Sequence, residues 1–170
     1  MFTVFDLKDS TPLAPDELRA VRRVLEDYCR TAAGAWLCGF PHRRFELRWC
    51  PAITDDVLGA FTLLHPWTIY LKPPDTEATG RLRDYARISW AEIITPTVIH
   101  ELRHAWQFRR NPLLYAVCCL PLLREITLER DARRICCEAE RIVETTTGWH
   151  TGQEFERRTN NGVRLYCRTH

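Results

Sequence analysis

The segment His100–His104 reads H-E-L-R-H, an H-E-x-x-H motif. It lies in Thr95–Arg110, where apolar residues recur with helical spacing. Because residues four apart share one face of a helix, both imidazoles can reach one metal ion. Glu101 is one step round the helix, where its carboxylate can contact a water on that metal without being a ligand. The motif therefore predicts a zinc site in which the metal acidifies water and Glu101 removes its proton.

The helix that carries the motif has two distinct faces when it is projected at 100° per residue. The side that we expect to face the core holds Val98, Ile99, Leu102, Ala105 and Trp106. The opposite side holds His100, His104 and Gln107, with Phe108 at its border. This arrangement suits the floor of a cleft. The alternative interpretation is two solvated histidines beside an ordinary glutamate.

A third ligand is expected from a later element, because catalytic zinc usually takes three protein ligands and keeps one position for water. A long helix is predicted over Leu122–Thr147. Glu125 and Glu129 fall within its apolar arc, where a carboxylate is costly unless it is paired or bound to metal. We favour Glu129, with Glu125 as the alternative ligand. Glu129 could instead form an ion pair with Arg133, four residues on.

The rest of the chain predicts an α+β fold. Residues 1–148 are expected to form one domain, and 149–170 a polar tail or hairpin. Thr95 is predicted as the N-cap of the motif helix, with Pro96 in its first turn. Strands are predicted at Phe2–Leu7, Arg44–Cys50, Leu58–Leu64 and Trp67–Leu71; helices are predicted at Pro15–Trp36, Asp84–Ile94, Thr95–Arg110, Leu113–Leu120 and Leu122–Thr147.

Composition excludes several classes of protein. The chain has 170 residues, of which 45% are hydrophobic, so it can build a core. A net charge of +2 gives no general argument for nucleic acid or membrane partners. The most apolar stretch, Pro112–Leu123, is too short to span a bilayer. None of the eight cysteines forms a C-x-x-C pair. Without a secretory signal at the start, they are expected to be reduced, mostly buried thiols in the cytoplasm.

The motif and its surroundings resemble the gluzincin class of zinc metallopeptidases. The resemblance rests on His100–Gln107, H-E-L-R-H-A-W-Q, and on Glu129–Ala132, E-R-D-A, on the later helix. Small zincin-like domains of bacteria and their phages share this pattern. The resemblance implies a small, mostly antiparallel sheet packed on the H-E-x-x-H helix. It also implies zinc as cofactor and a peptide or protein as substrate.

Residue roles follow from the same resemblance. His100, His104 and Glu129 would hold the zinc, and Glu101 would act as general base. Trp67–Leu71 would be the edge strand that binds an extended peptide. Asp131 would orient a ligand histidine, although the helical wheel points it away from the apolar arc. Either Tyr115 or His150 would stabilise the oxyanion, although aromatic residues more often serve packing.

Three alternatives remain open from the sequence. The chain could be a non-catalytic, zinc-stabilised module that binds a partner. It could be a DNA-associated protease, because the tail carries a basic cluster, Arg157, Arg158, Arg164 and Arg168. It could also hydrolyse an amide in a small molecule or a cell-wall peptide, for which the chemistry would be the same. The polar stretch Asp75–Arg83 is expected to form a loop, and could act as a lid.

Overall fold

The computed structural model describes residues 9–53, 58–73 and 90–147, which form an α+β fold. The strands are β1 (Thr11–Pro12), β2 (Glu46–Trp49), β3 (Gly59–Phe61) and β4 (Thr68–Leu71). The helices are α1 (Pro15–Cys29), α2 (Ala35–Cys38), α3 (Trp90–Arg110), α4 (Pro112–Cys118), α5 (Pro121–Arg124) and α6 (Arg130–Thr147). A 3₁₀ turn covers His42–Arg44, and a π-helical turn, Glu125–Glu129, joins α5 to α6.

The four strands form one mixed sheet in the order β1-β2-β4-β3. β1 pairs antiparallel with β2, and β3 antiparallel with β4, while β2 and β4 run parallel. Two of the three pairings are antiparallel, in line with the small, mostly antiparallel sheet that was expected, and the central pair is the exception. β4 lies inside the sheet, so the prediction that Trp67–Leu71 forms the edge strand is wrong. The edge strand beside the motif helix is β3.

The motif helix is longer than predicted. The helix spans Trp90–Arg110 and runs through Thr95 and Pro96 without a new start. Thr95 is therefore not an N-cap, and its hydroxyl donates to the carbonyl of Ala91 at 2.7 Å inside the helix. The missing N–H of Pro96 is tolerated because the surrounding helix is held by tertiary packing. The expected core face is confirmed: Val98, Ile99, Leu102 and Ala105 are all buried.

Two other predicted helices are divided. The helix expected over Pro15–Trp36 ends at Cys29, and the Thr31 hydroxyl then donates to the carbonyl of Tyr28 at 2.8 Å. Gly34 then packs so closely on that carbonyl that a Cβ would lie 1.9 Å from its oxygen. The helix expected over Leu122–Thr147 is interrupted by the π-helical turn.

One core joins the sheet to the helices. α1, α3 and α6 bring apolar side chains together over the β2–β4 face of the sheet. The side chains at its centre are fully buried, among them Val21, Leu37, Ile69, Leu71 and Ile99. α6 packs along α3 through Ala132 and Ala139, whose small side chains let the two helices approach closely. The motif helix is thus held between the sheet and α6.

The cysteines differ from the expectation. Among the described residues, Cys50 and Cys136 are buried, Cys29, Cys118 and Cys119 are partly exposed, and Cys38 is exposed; none of these six is in a disulfide. Cys137 is disulfide-bonded, which differs from the reduced thiols that were favoured over a disulfide. Within the described part of the chain, no helix has the length and apolarity to cross a membrane. Phe2–Leu7, Asp75–Arg83 and 149–170 lie outside the described residues.

Candidate metal centre

His100 and His104 face each other across one turn of α3. Their Nε2 atoms lie 3.1 Å apart, and the ring planes meet at 79°. His104 is buried and His100 is partly buried. The four-residue spacing therefore directs both nitrogens to one point at the protein interior, as the sequence predicts.

Glu129 completes this group from the second long element. One carboxylate oxygen, Oε2, lies 3.2 Å from Nε2 of His100, and Oε1 lies 3.5 Å from Nε2 of His104. One ligand atom from each of the three residues lies within 4.8 Å of the other two. The structure thus brings together the three residues expected to bind the metal. The side chain of Glu125, the alternative ligand, lies outside the described part.

Glu129 sits at the end of the π-helical turn. A π turn inserts one extra residue and changes the direction of the side chains that follow it; such turns are frequent at functional sites. The position of Asp131 differs from the one drawn from the helical wheel, which pointed it away from the apolar arc. In the structure Asp131 faces α3 and contacts Arg103 and Gln107.

Arg124 is the arginine that pairs with Glu129, in place of the Arg133 weighed from the sequence. Its Nε and Nη2 both lie 2.8 Å from Oε1 of Glu129. The guanidinium therefore binds one carboxylate oxygen and leaves Oε2 directed at His100. Burial would raise the pKa of Glu129, but the contacts with His100 and His104 hold it far below its usual range. Sequence reasoning missed Arg124, because a five-residue spacing brings two side chains together only across a π turn.

Gln107 links His104 to Asp131. Oδ2 of Asp131 accepts a hydrogen bond from Nε2 of Gln107 at 2.9 Å. This bond turns the other end of the amide, Oε1, toward Nδ1 of His104 at 3.0 Å. Because an amide oxygen only accepts, the neutral imidazole must carry its proton on Nδ1. Its Nε2 is then the unprotonated nitrogen, which is the form that binds a metal.

The pKa of His104 reflects its neighbours. Burial lowers this pKa, but the hydrogen bond to Glu129 and the negative charge of Glu101 outweigh burial, so the net shift is upward. The surroundings thus concentrate negative charge at the two imidazoles. A cation bound between the two imidazoles would balance this negative charge, as a proton on His104 does in the absence of metal.

Arg103, the variable residue inside the motif, anchors the back of the site. Its guanidinium lies 4.0 Å from the ring centre of Trp106 and 5.0 Å from that of Trp36. Its Nε donates to Oδ2 of Asp131 at 2.6 Å. Burial would raise the pKa of Asp131, and the bond to Arg103 lowers it further than burial raises it. The sequence offered no signal for this contact, which joins residues 28 positions apart.

Glu101 lies beside the three ligands and is buried. Its Oε2 accepts a hydrogen bond from the backbone N–H of Phe61, the last residue of β3, at 2.8 Å. Close packing of β3 on α3 makes this contact possible: a Cβ at Gly59 would lie 2.6 Å from Thr97 and 3.2 Å from Glu101. Gly59 therefore allows the edge strand to reach the motif glutamate.

Tyr115 is the residue of α4 that turns toward the site. It is 9% exposed, and its ring packs against Phe108 at 5.7 Å. Phe108 in turn contacts Phe61. Burial raises the pKa of Tyr115 strongly, and the charges of Glu101 and Glu129 raise it further. The phenol therefore stays protonated as a hydrogen-bond donor. His150, the other residue considered for this role, lies outside the described residues.

The donor set fits zinc. Two imidazole nitrogens and one carboxylate oxygen are the ligands found in one class of catalytic zinc sites. The fit also rests on two observations: the Gln107 contact presents His104 through its unprotonated Nε2, and Arg124 leaves one oxygen of Glu129 free for the cluster.

Comparison with known proteins finds no match, whether with protein-family models, with curated proteins or with solved structures.

Proposed function

We propose that the protein is a zinc metallopeptidase of the gluzincin type, which hydrolyses peptide bonds. The observation that carries this proposal is the convergence of His100, His104 and Glu129 with Glu101 beside them. An ordinary surface pair of histidines would not be buried against a carboxylate that is itself held by arginine. Burying such charged groups is costly, and a bound cation would offset that cost.

Glu101 is the proposed general base. Zinc held by the three ligands would supply Lewis acidity, both to water and to the carbonyl of the substrate. The Phe61 N–H fixes one oxygen of Glu101, so the other can take a proton from water and then return it to the leaving amine. Burial keeps this proton transfer away from bulk solvent.

The substrate is proposed to lie along β3. In the antiparallel pair of β3 and β4, backbone groups of alternate residues point away from the partner strand. The backbone N–H of Lys72 donates to the carbonyl of Leu58, so Gly59 and Phe61 direct their backbone groups to the outer edge. The Phe61 N–H is bound to Glu101, so the groups proposed to bind a peptide are those of Gly59 and the carbonyl of Phe61. An extended peptide can add to such an edge through backbone hydrogen bonds. It would then pass next to Glu101.

Tyr115 is the proposed donor to the oxyanion. Its phenol is buried, protonated and close enough to Glu101 and Glu129 to feel both charges. A preorganised donor of this kind commonly contributes about 10²-fold to 10³-fold in rate. The Tyr115→Phe variant removes the hydroxyl and keeps the ring packing on Phe108.

The decisive experiment compares Glu101→Gln with the wild-type protein on a mixed peptide library, with zinc content measured by mass spectrometry on the same samples. We expect wild-type protein to hold about one zinc per chain. The variant should retain the metal and lose cleavage by about 10²-fold or more. Glu138→Gln, an exposed site on α6, is the matched control and should cleave normally.

The alternative is a zinc-stabilised module that binds a partner without catalysis. It would show zinc in both proteins and no cleavage in either. Equal cleavage by wild type and Glu101→Gln would contradict the role of Glu101. Absence of zinc from wild-type protein, even after the metal is added back, would overturn the site itself.

A further inference from the structure

Exposed apolar side chains are concentrated at one end of the molecule. Seven large apolar residues are exposed among those that the structure describes, and five of them lie between residues 113 and 126. These five are Leu113, Leu114, Val117, Leu120 and Ile126, and we call them the apolar cap. The surfaces of soluble proteins rarely place so many large aliphatic side chains together, so we expect the apolar cap to bind a partner.

The cap protrudes from the fold. Within α4 only Tyr115 is buried, whereas Leu113 is 82% exposed and its neighbours are open on both sides of the helix. Leu113, Val117 and Leu120 follow a four- and three-residue spacing, which places them on the face opposite Tyr115. A protein partner usually covers one side of a helix. Because α4 is exposed on several sides, a fluid medium that can surround the helix would cover it better than a single protein surface.

A second segment adds to the same end. Leu63 and Leu64, the remaining two exposed apolar residues, lie in the turn that follows β3. This turn leads to Trp67, whose ring contacts Arg109 at the carboxyl end of α3, where α4 begins. The turn and the cap therefore approach the same end of α3.

Positive charge predominates near the cap. From Leu102 to Arg124 the sequence contains no aspartate or glutamate, and Glu125 and Glu129 follow beside Ile126. Arg109 and Arg110, which precede the cap in sequence, and Arg130, which follows it, are exposed. Arginines that flank exposed leucines can bind lipid phosphates while the leucines enter the acyl region.

From these observations we propose that the apolar cap docks on the surface of an anionic lipid bilayer, with its leucines inserted at the headgroup boundary and the flanking arginines on the phosphates. The docking is interfacial and needs no membrane-spanning helix. It does not depend on the proposed hydrolysis. Because α4 carries three of the cap residues on one side and the buried Tyr115 on the other, docking would bring the metal centre close to the bilayer.

The test is sedimentation of the full-length protein with two kinds of vesicle: phosphatidylcholine alone, and phosphatidylcholine in which about a third of the lipid is phosphatidylserine. We expect clear binding to the anionic vesicles and little to the neutral ones. Raising the salt concentration should weaken binding, because it screens the arginines.

Two variants and a control separate the parts of the proposal. Replacing Leu113, Leu114 and Val117 together by serine should lower the partition coefficient by about ten-fold or more. The double variant Arg109→Gln with Arg110→Gln should lower it several-fold and reduce its salt dependence. Arg22→Gln with Arg23→Gln, an exposed adjacent pair on α1, should bind like the wild type. Circular dichroism and thermal melting check that each variant is folded.

Three results would overturn the proposal. The first is equal binding by the triple serine variant and the wild type. The second is equal binding to neutral and anionic vesicles. The third is absence of vesicle binding; if sedimentation equilibrium then shows self-association that the triple variant abolishes, the cap is an interface between two copies of this chain.

Discussion

Asp131 accepts a hydrogen bond from Gln107 at 2.9 Å, although 24 residues separate them in the chain. This contact crosses from α6 to α3 and decides which end of the Gln107 amide faces His104. It thereby couples the packing of two helices to the tautomer of His104, a proposed metal ligand. Because Asp131 reaches His104 only through the Gln107 amide, it is a positioning residue. We expect loss of Asp131 to lower metal affinity more than it disturbs the fold.

The first prediction concerns this link. Gln107→Leu removes the acceptor that holds Nδ1–H of His104, so the ring loses both its orientation and its tautomer preference. We expect zinc affinity to fall by about ten-fold to a hundred-fold, as is usual for the partners of ligand histidines. Competition with a chromophoric chelator measures this affinity. Glu138→Gln on α6 should bind zinc like the wild type, and unchanged affinity in Gln107→Leu would refute the link.

The second prediction concerns Asp131 and pH. Burial would raise the pKa of Asp131, but the Arg103 bond outweighs burial and holds the folded pKa below its ordinary value of 3.8. The carboxylate therefore contributes stability that is fully present above its unfolded pKa and is lost as pH falls through the folded pKa. In metal-free protein, Asp131→Asn should cost about 1–2 kcal/mol of unfolding free energy at neutral pH, allowing for partial solvent screening.

The pH dependence of that cost is the stronger test. Urea unfolding of the wild type and of Asp131→Asn should give a difference in unfolding free energy that is constant above about pH 5. This difference should become smaller below about pH 4. A difference in unfolding free energy that stays constant down to low pH would mean that the charge of Asp131 contributes nothing. Asparagine would then destabilise the protein through altered packing.

Local patterns in the sequence predicted much of the site. Helical spacing in the motif fixed the relative placement of His100 and His104, because that relationship lies within one turn. The apolar arc of the later helix pointed to Glu125 and Glu129, since a carboxylate on a buried face needs a partner, and the structure brings Glu129 to the two histidines. Strands at residues 46–49, 59–61 and 68–71 also lie within the segments predicted for them.

What could not be predicted depends on contacts between distant segments. Nothing local shows that β2 pairs with β4, so the edge strand was assigned to Trp67–Leu71 rather than to β3. The π turn has no sequence signature here, so the contact of Arg124 with Glu129 was missed. The Arg103 contact with two tryptophans likewise needs three separate elements to meet.

The third prediction concerns Gly59, where β3 packs on the motif helix. A methyl group there would lie 2.6 Å from Cγ2 of Thr97, a branched side chain with little freedom to move. Gly59→Ala should therefore push β3 away from α3 and break the bond between Phe61 and Glu101. We expect a loss of about 1–3 kcal/mol in unfolding free energy, measured by urea unfolding.

Gly39 provides the matched control for that change. Its φ is −88°, and a Cβ there would meet no atom within 4 Å. Gly39→Ala should leave stability within about 0.5 kcal/mol of the wild type. Equal effects of the two substitutions would show that the close approach at Gly59 is not what matters.

The last prediction tests the proposed three-ligand set by measuring how much zinc stabilises the folded protein. A ligand that binds only the folded state stabilises it by about 2.7 kcal/mol when its free concentration is a hundred times its dissociation constant. Wild-type protein stripped of metal should thus melt at a higher temperature when zinc is restored. Glu129→Gln should lose most of that increase, because a neutral amide is a poor ligand for zinc.

The same variant should also melt at a lower temperature than the wild type without metal, since it leaves the Arg124 guanidinium without its carboxylate. The two effects are separable: the second persists in the presence of a chelator, whereas the first disappears. A full zinc-induced increase in Glu129→Gln would show that the third ligand is another residue, and Glu125→Gln would then be the variant to compare.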